Sequence, residues 1–353
     1  HDINALKTVL ARAKASDKSS FIHVRTVKGK GYKPAESHPA EYHGISGGQK
    51  FANEDYSVIF GKELIRLAAE NDKIVAITGA MPLGTGLSEF SKLYKDRYFD
   101  VGIAEQHAVT MAAGLAMQGF IPVVPLYSTF MQRSYDQILH DVCLQNLHVV
   151  LCADRAGIVG QDGETHQGMY DISYLSHMPN MTILSPSSFS ELSEMLGYAV
   201  NVHNGPIAIR YPRGSVQTEI ETHFQFGKTQ TVSEGKDILI ISSGRMLSEA
   251  KKAAQHFNAQ LIALPTIKPF PESEIIKAAR GNRLIVTAED GTKIGGIGSM
   301  TACALCENGI STPLLICAFP DEPIIHGTPS ELDAYYHMDA KSIIRRIEEK
   351  LNG

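Results

Sequence analysis

The chain has 353 residues, 43% of them hydrophobic, and a formal net charge of −5 at pH 7. That length suggests two or three domains, and the hydrophobic share suffices for a packed core. The mild acidity argues against a dedicated nucleic-acid binder, and no apolar run approaches the roughly 20 residues that span a bilayer.

The N-terminal stretch HDINALKTVLARAKASDKSS has neither an initiator Met nor the apolar core of a signal peptide. It reads as one helix, and FIHVRTV after it as one strand, together too little to bury a core. ESHPAEYHGISGGQKFANED is polar, Gly-rich and without periodicity, which places a first boundary near residues 36–53. KIVAIT, RYFDVG, IPVVPLYS, LHVVLCAD, MTILSP and PIAIRYP then read as buried strands, alternating with amphipathic stretches such as DYSVIFGKELIRLAAEN and TFMQRSYDQILHDVCLQN. Such alternation predicts parallel sheets covered by helices on both faces.

The polar, turn-rich FGKTQTVSEGKD marks a second boundary at about residues 222–236. DILIISSG, AQLIALPT, RLIVTAED and PLLICAFP repeat the alternation beyond it. Five scattered cysteines fit a reducing cytoplasm better than a disulfide framework. Cys303 and Cys306 form a CxxC within SMTACALCENG, a helical pattern without a second pair to complete a zinc site, so they read as two small buried residues.

Four stretches can carry chemistry. AEQHAVTMAAGLAMQG predicts a helix from about Ala104 to Gln118, stopped by Gly119, with Glu105 in its first turn. An acid there complements the helix dipole, but on a thin, Ala- and Gly-rich helix a buried carboxylate is costly unless something specific meets it. LYSTFMQRSYDQ gathers Tyr127, Phe130, Arg133 and Tyr135 at a strand-to-helix junction, where a flat heterocycle or an anion can bind, or where the rings are simply core. ADRAGIVGQDGETHQGMYD is a Gly-punctuated loop offering Arg155, Asp162 and His166. The last two are either a proton-transfer pair or turn furniture with a solvated ring. IRYPRG ends a strand with Arg210 and Arg213, a possible phosphate fork. KIGGIGSM resembles part of a dinucleotide turn but lacks the full Gly spacing and a strand immediately before it.

Together and in this order, TVKGKGYKPAE, DRYFDVGIAEQHAVTMAAGLAMQGF, PLYSTFMQRSYDQILHDVCLQNL, DRAGIVGQDGETHQGMYDISYL and IRYPRG resemble the C-terminal portion of the 1-deoxy-D-xylulose-5-phosphate synthase family, transketolase-like enzymes dependent on thiamine diphosphate. The resemblance covers nearly the whole chain and is densest over residues 97–214. General transketolases and the β subunits of 2-oxo-acid dehydrogenases share the Glu and its helix, but not the AEQHAVT and DGxTHQG wording. The resemblance implies that the first of the family's three domains, which binds diphosphate and metal through a Gly-Asp-Gly motif, is represented in this sequence only by its tail. His148 stands where the family usually has Pro, and the TGAM segment at Gly79 varies between members.

The resemblance implies an α/β fold of two doubly wound, mostly parallel-sheet domains, a pyrimidine-binding domain and a transketolase C-terminal domain, plus a short remnant of a third. It implies boundaries at 1–45, 46–225 and 226–353. The implied cofactors are thiamine diphosphate and Mg2+, with no metal ligand on this chain. Carried over residue by residue, Glu105 meets the pyrimidine nitrogen N1′ and so favours the imino tautomer that deprotonates the thiazolium. Phe130, Tyr127 and Met81 bind the cofactor, and Arg133 and Tyr127 face the donor. Asp162 and His166 handle acceptor protons, Arg155 and Arg213 hold the acceptor phosphate, and His43 reaches the reacting end of the cofactor. The implied reaction joins pyruvate to glyceraldehyde 3-phosphate with loss of CO2. The implied state is a cytoplasmic homodimer that contacts neither nucleic acid nor membrane, and the resemblance leaves open that the N-terminal domain is supplied as a separate chain. Two other readings stand beside this one: a transketolase-like enzyme with a different donor or acceptor, and a non-catalytic dimerising fragment.

Overall fold

The computed structural model describes residues 1–39, 42, 55–160, 162–215, 220 and 223–353. The chain divides into two compact units, His1–Phe51 and Ala52–Gly353.

The first unit holds two helices, α1 (Ile3–Lys14) and α2 (Lys33–Ser37). Asp2 caps α1 by accepting from the Asn4 and Ala5 amides, yet α1 buries no residue. The expected strand at FIHVRTV is absent: residues 21–27 are extended without ladder partners, and Phe21 is 95% exposed. A strand needs a neighbour to pair with, and this unit's described residues offer none.

The second unit opens with α3 (Tyr56–Glu70), β1 (Ile74–Thr78), α4 (Ser88–Leu93), β2 (Tyr98–Asp100), α5 (Glu105–Met117) and β3 (Ile121–Tyr127). Two short helices follow, α6 (Ser128–Met131) and α7 (Tyr135–Gln137), and then β4 (Val150–Asp154), α8 (Asp171–Ser176), β5 (Thr182–Leu184), α9 (Phe189–Asn201) and β6 (Ile207–Tyr211). The next stretch contains β7 (Gln230–Ser233), β8 (Ile238–Ser242), α10 (Leu247–Phe257), β9 (Gln260–Ala263), β10 (Thr266–Lys268) and α11 (Glu272–Ala279). It ends in β11 (Leu284–Thr292), α12 (Ile297–Glu307), β12 (Leu314–Phe319), α13 (Pro329–Tyr335) and α14 (Ala340–Asn352).

These strands form two sheets, in orders β10-β5-β6-β4-β3-β1-β2 and β12-β11-β8-β9-β7. All neighbours run parallel except β10 on β5 and β7 on β9. The two mostly parallel α/β sheets therefore match the expected fold class. Strands such as Ile74–Thr78 and Val150–Asp154 are buried at every position because helices cover both faces. One apolar layer, containing Ile77, Val124, Ile183, Leu239, Ile262 and Ile297, is shared by both sheets. Two further layers pack α3 and α9 on the first sheet and α10 and α14 on the second.

Several local expectations change. FGKTQTVSEGKD, read as polar and turn-rich, also contains edge strand β7, whose half-buried Gln-Thr-Val-Ser pattern suits a sheet margin. The helix expected across TFMQRSYDQILHDVCLQN is broken into α6, a 3-10 turn, α7 and a π turn at Ile138–Cys143. KIGGIGSM does follow a strand, β11, but the Glu289 carboxylate accepts from the Ile297 and Gly298 amides at 2.7 Å each. A carboxylate already occupies that helix N-terminus, so the segment makes no phosphate cradle. Cys303 and Cys306 lie on a helix as expected, but both are exposed rather than buried.

Buried charges join the two sheets. Arg210 on β6 donates to Asp171 Oδ2 (3.0 Å) and to the Asp290 carbonyl (2.9 Å). Arg245, after β8, grips Asp290 and Asp333 through four hydrogen bonds of 2.6–2.9 Å. Asp154, at the end of β4, is fully buried and accepts from Ser57 Oγ at 2.8 Å. Burial pushes its carboxyl up to about 7, against the opposing pull of Arg155 and Ser57. Burial likewise pushes Glu289 up to about 7. Among the described residues, no helix is long and apolar enough to cross a membrane.

Removing one partner of a buried ion pair typically costs about 3–5 kcal/mol, because the other charge is stranded. Arg245→Met is therefore expected to lower unfolding free energy by about that amount in a urea titration, and a loss below about 1 kcal/mol would contradict the network's burial. Asp154 makes a second expectation. Between its ordinary 3.8 and about 7, the unfolded chain releases a proton that the folded chain keeps, so stability falls as pH rises through that window. Asp154→Asn removes this loss, so the variant gains stability over the parent at pH 8 but not at pH 4. Parallel stability–pH curves for the two proteins would refute it.

Candidate active site

The carboxyl ends of β1, β3, β4 and β6 lie along one edge of the first sheet, where open α/β sheets collect ligands. The turn before α5 is fixed first. Asp100 Oδ1 accepts from the Ala80 amide (2.8 Å) and the Gly102 amide (3.0 Å), and the Val101 amide donates to the Thr78 carbonyl (3.0 Å). Gly102 takes φ +73°, which glycine adopts without strain, and the chain turns into α5. Glu105 thereby becomes the first residue of that helix, 2% exposed.

Glu105 Oε2 is buried and receives no hydrogen bond. Its nearest cation is Arg133 Nε at 3.5 Å, on a side chain that is more than half exposed. That contact is an ion pair without hydrogen-bond geometry, so it does not close the oxygen's bonding capacity. The sequence offered no basic neighbour for Glu105. The structure brings Arg133 to it from the segment after β3.

The Tyr127 and Phe130 rings stack with centroids 5.6 Å apart and planes 22° apart. Arg155 lies over the other ring partner, its Cζ 3.9 Å from the Tyr127 centroid, in a cation–π contact. Burial pushes the Tyr127 hydroxyl up to about 12, with Arg155 opposing. A side chain at Gly84 would collide with Tyr127 Oη, so the backbone of the 81–86 turn closes against that ring. Met81 belongs to this turn, where its carbonyl accepts from the Thr85 amide and hydroxyl.

The loop after β4 begins with Arg155 at φ +58°. Gly157 and Gly168 pair across its base through bonds of 2.8 and 2.6 Å. Asp162 Oδ2 accepts from Arg213 at 2.7 Å and sits 3.5 Å from Arg155. The His166 ring meets the Phe130 ring edge-on at 5.4 Å, and its Nδ1 pairs with Thr165 Oγ1 at 2.9 Å. Asp162 and His166 thus share a loop but make no hydrogen bond to each other; Asp162 belongs to the two arginines. The phosphate fork suggested at Arg210 and Arg213 also resolves differently. Arg210 is buried in the ion-pair network, and the arginines that converge are Arg155 and Arg213. His43 lies outside the described residues.

Sequence reasoning missed three groups around this edge. Asp154 and Ser57 form its floor, Asp100 holds the turn that presents Glu105, and Gln167 braces the loop from within. An Asp closing the apolar run of LHVVLCAD was the available signal for the first. Thiamine diphosphate has an aminopyrimidine and a diphosphate, and the residues here fit only the former. They offer an unsatisfied carboxylate oxygen and a stacked aromatic pair on one sheet edge. Among the described residues, no group of three or more His, Cys, Asp or Glu is placed to hold a metal ion.

Comparison with known proteins follows this division. Residues 53–218 match the family model "Transketolase, pyrimidine binding domain", and residues 227–343 match "Transketolase, C-terminal domain". The chain is 46% identical to the 1-deoxy-D-xylulose-5-phosphate synthase of Clostridium perfringens (strain SM101 / Type A), over 99% of this chain and 59% of that protein. It is 44% identical to the synthase of Alkaliphilus oremlandii (strain OhILAs), over 100% of this chain and 59% of that protein. It therefore spans about three fifths of the length of the curated relatives it matches. A solved structure described as "Split gene transketolase, inactive beta4 tetramer" aligns with TM-score 0.76 at 29% identity, covering 84% of this chain and 98% of that one. With residues 53–218 and 227–343 matched in turn by the two domain models, the chain belongs to the transketolase family and is similar, within it, to the 1-deoxy-D-xylulose-5-phosphate synthases.

Proposed function

We propose that this chain supplies the pyrimidine-binding and acceptor-binding parts of a thiamine diphosphate-dependent 1-deoxy-D-xylulose-5-phosphate synthase. The reaction decarboxylates pyruvate and joins the remaining two carbons to glyceraldehyde 3-phosphate, giving 1-deoxy-D-xylulose 5-phosphate and CO2. The observation that carries this reading is the buried, unbonded Oε2 of Glu105, which a ring nitrogen would satisfy. When bound, the cofactor supplies the carbon nucleophile and the electron sink.

The residues divide the remaining work. Glu105 holds a proton between its carboxyl group and N1′ of the pyrimidine. Phe130, Tyr127 and Met81 seat that ring and keep water from it. Arg133, beside Glu105, faces the donor carboxylate together with Tyr127. Arg155 and Arg213 grip the acceptor phosphate. Asp162 now neutralises both, so an arriving dianion competes with that carboxylate for two guanidiniums. His166, on the edge of the Phe130 ring, moves a proton at the acceptor aldehyde, with Asp162 and His43 assigned to the same end.

We place the domain limits at 1–45, 46–225 and 226–353, and the working assembly as a cytoplasmic homodimer. The diphosphate and Mg2+ ligands belong to a diphosphate-binding domain on the same polypeptide or on another. By itself the chain is then inactive, in keeping with a structural neighbour described as an inactive tetramer from a split gene.

In the enzyme assembled with that domain, Glu105→Gln is expected to lower turnover by about 10²–10⁴, followed by pyruvate consumption. Near-normal turnover would remove the basis of the proposal. Arg213→Ala is expected to raise the Michaelis constant for glyceraldehyde 3-phosphate and leave that for pyruvate alone. The opposite pattern would assign Arg213 to the donor pocket.

A further inference from the structure

We infer that Gln167 is a positioning residue that straps the loop bearing Asp162 and His166, which belongs to a first block (residues 55–215), onto a second block (residues 227–353) at residues 324–328. The inference rests on the acceptor-site reading above for its consequence, although the strap itself stands on geometry.

Gln167 is 2% exposed and uses both ends of its amide. Its Oε1 accepts from the Val159 amide at 2.9 Å, within the loop. Its Nε2 donates to the Ile325 carbonyl at 3.1 Å, on the segment between β12 and α13. The partners dictate the orientation, since a main-chain N–H only donates and a carbonyl only accepts.

The same loop touches the second block at two more places. A side chain at Gly157 would overlap the Asp290 carboxylate, which also receives the Ile158 amide at 3.4 Å. A Cβ at Gly160 would lie 2.9 Å from the Gly327 carbonyl oxygen and from Pro329 Cδ. From the first block the loop is held by Ser128 Oγ on the Gly168 carbonyl (2.9 Å) and Thr129 Oγ1 on the Thr165 carbonyl (3.0 Å). It is therefore clamped between the blocks, and Gln167 is the side chain within it that bonds both to the loop and to the second block. His166 is its immediate neighbour, and Val159, its partner, also accepts from Arg213 through its carbonyl at 3.4 Å. Losing the strap frees the acceptor side while β1, α5 and the Glu105 side keep their supports.

Two variants test this. Gln167→Glu keeps the size and the acceptor for Val159 but offers an acceptor to the Ile325 carbonyl, and Gln167→Met keeps the length and removes both bonds. Amide hydrogen exchange on this chain is expected to quicken by about tenfold or more over residues 156–168, with β3, β4 and α5 unchanged, and more in the Met variant than in the Glu variant. In the assembled enzyme the Michaelis constant for glyceraldehyde 3-phosphate is expected to rise about 3–30-fold, with that for pyruvate unchanged. Unaltered exchange, or quickening spread evenly over the unit, would overturn the strap. Faster loop exchange with an unchanged acceptor constant would overturn its role in positioning. Should Glu105→Gln retain turnover, the functional reading fails by itself, while the exchange pattern still decides the strap.

Discussion

Two guanidiniums shut away from water set the terms for the larger unit. Arg210 comes from the first sheet and Arg245 from the second, and both meet at Asp290 on β11. Arg245 finds both its carboxylates, Asp290 and Asp333, on its own side of the joint, whereas Arg210 pairs with Asp171 and reaches across to the Asp290 carbonyl, so sliding one sheet along the other would leave part of that buried guanidinium without its acceptor. Such a network is a weak source of net stability but a strong penalty on misalignment. The apolar layer shared between the sheets supplies the attraction, which has no direction of its own, and the directional bond from Arg210 to the Asp290 carbonyl supplies register.

The site inherits that register unevenly. Glu105 is presented by Asp100, the turn at Gly102 and the first sheet, with no part taken by the second. The acceptor side differs, because Asp290 faces Gly157 at the start of the loop as well as Arg245. One carboxylate thus serves the joint between blocks and the shape of a loop that carries Asp162. The placement of Arg155 and Arg213 around Asp162 belongs to both blocks together.

Much of this was legible in sequence. Runs such as KIVAIT and LHVVLCAD carry unbroken apolar stretches, IVAI and VVLCA, of the kind a strand covered on both faces requires, and they hold strands. Glu105 was legible because an acid stands out on a helix otherwise built of small and apolar residues. FIHVRTV was misread because period-two patterning shows what a strand would look like, not whether a neighbouring strand exists. Asp162 and His166 stayed open in sequence between a proton-transfer pair and turn furniture, because loop spacing says nothing of where side chains turn; the partners Asp162 takes, Arg155 and Arg213, come from two different strand ends. Cys303 and Cys306 were assigned to the core by residue type, whereas their helix shows that face to solvent.

Two glutamates show what separates a satisfied buried carboxylate from an unsatisfied one. Glu289 and Glu105 are both buried, and each stands at the N-terminus of a helix. Glu289 is closed: its two oxygens take the Ile297 and Gly298 amides, the donors that a helix start leaves unpaired. Glu105 begins its own helix and cannot fold back onto those amides, so Oε2 is left with Arg133 at ion-pair range and no hydrogen bond. Burial is equal in the two, and so is the favourable end of the dipole. Satisfaction differs, and an unsatisfied buried acceptor is tolerated when a donor from outside the chain completes it. The aromatic pair and the glycine-lined turn on the same sheet edge are the surroundings on which the proposed pyrimidine contact rests.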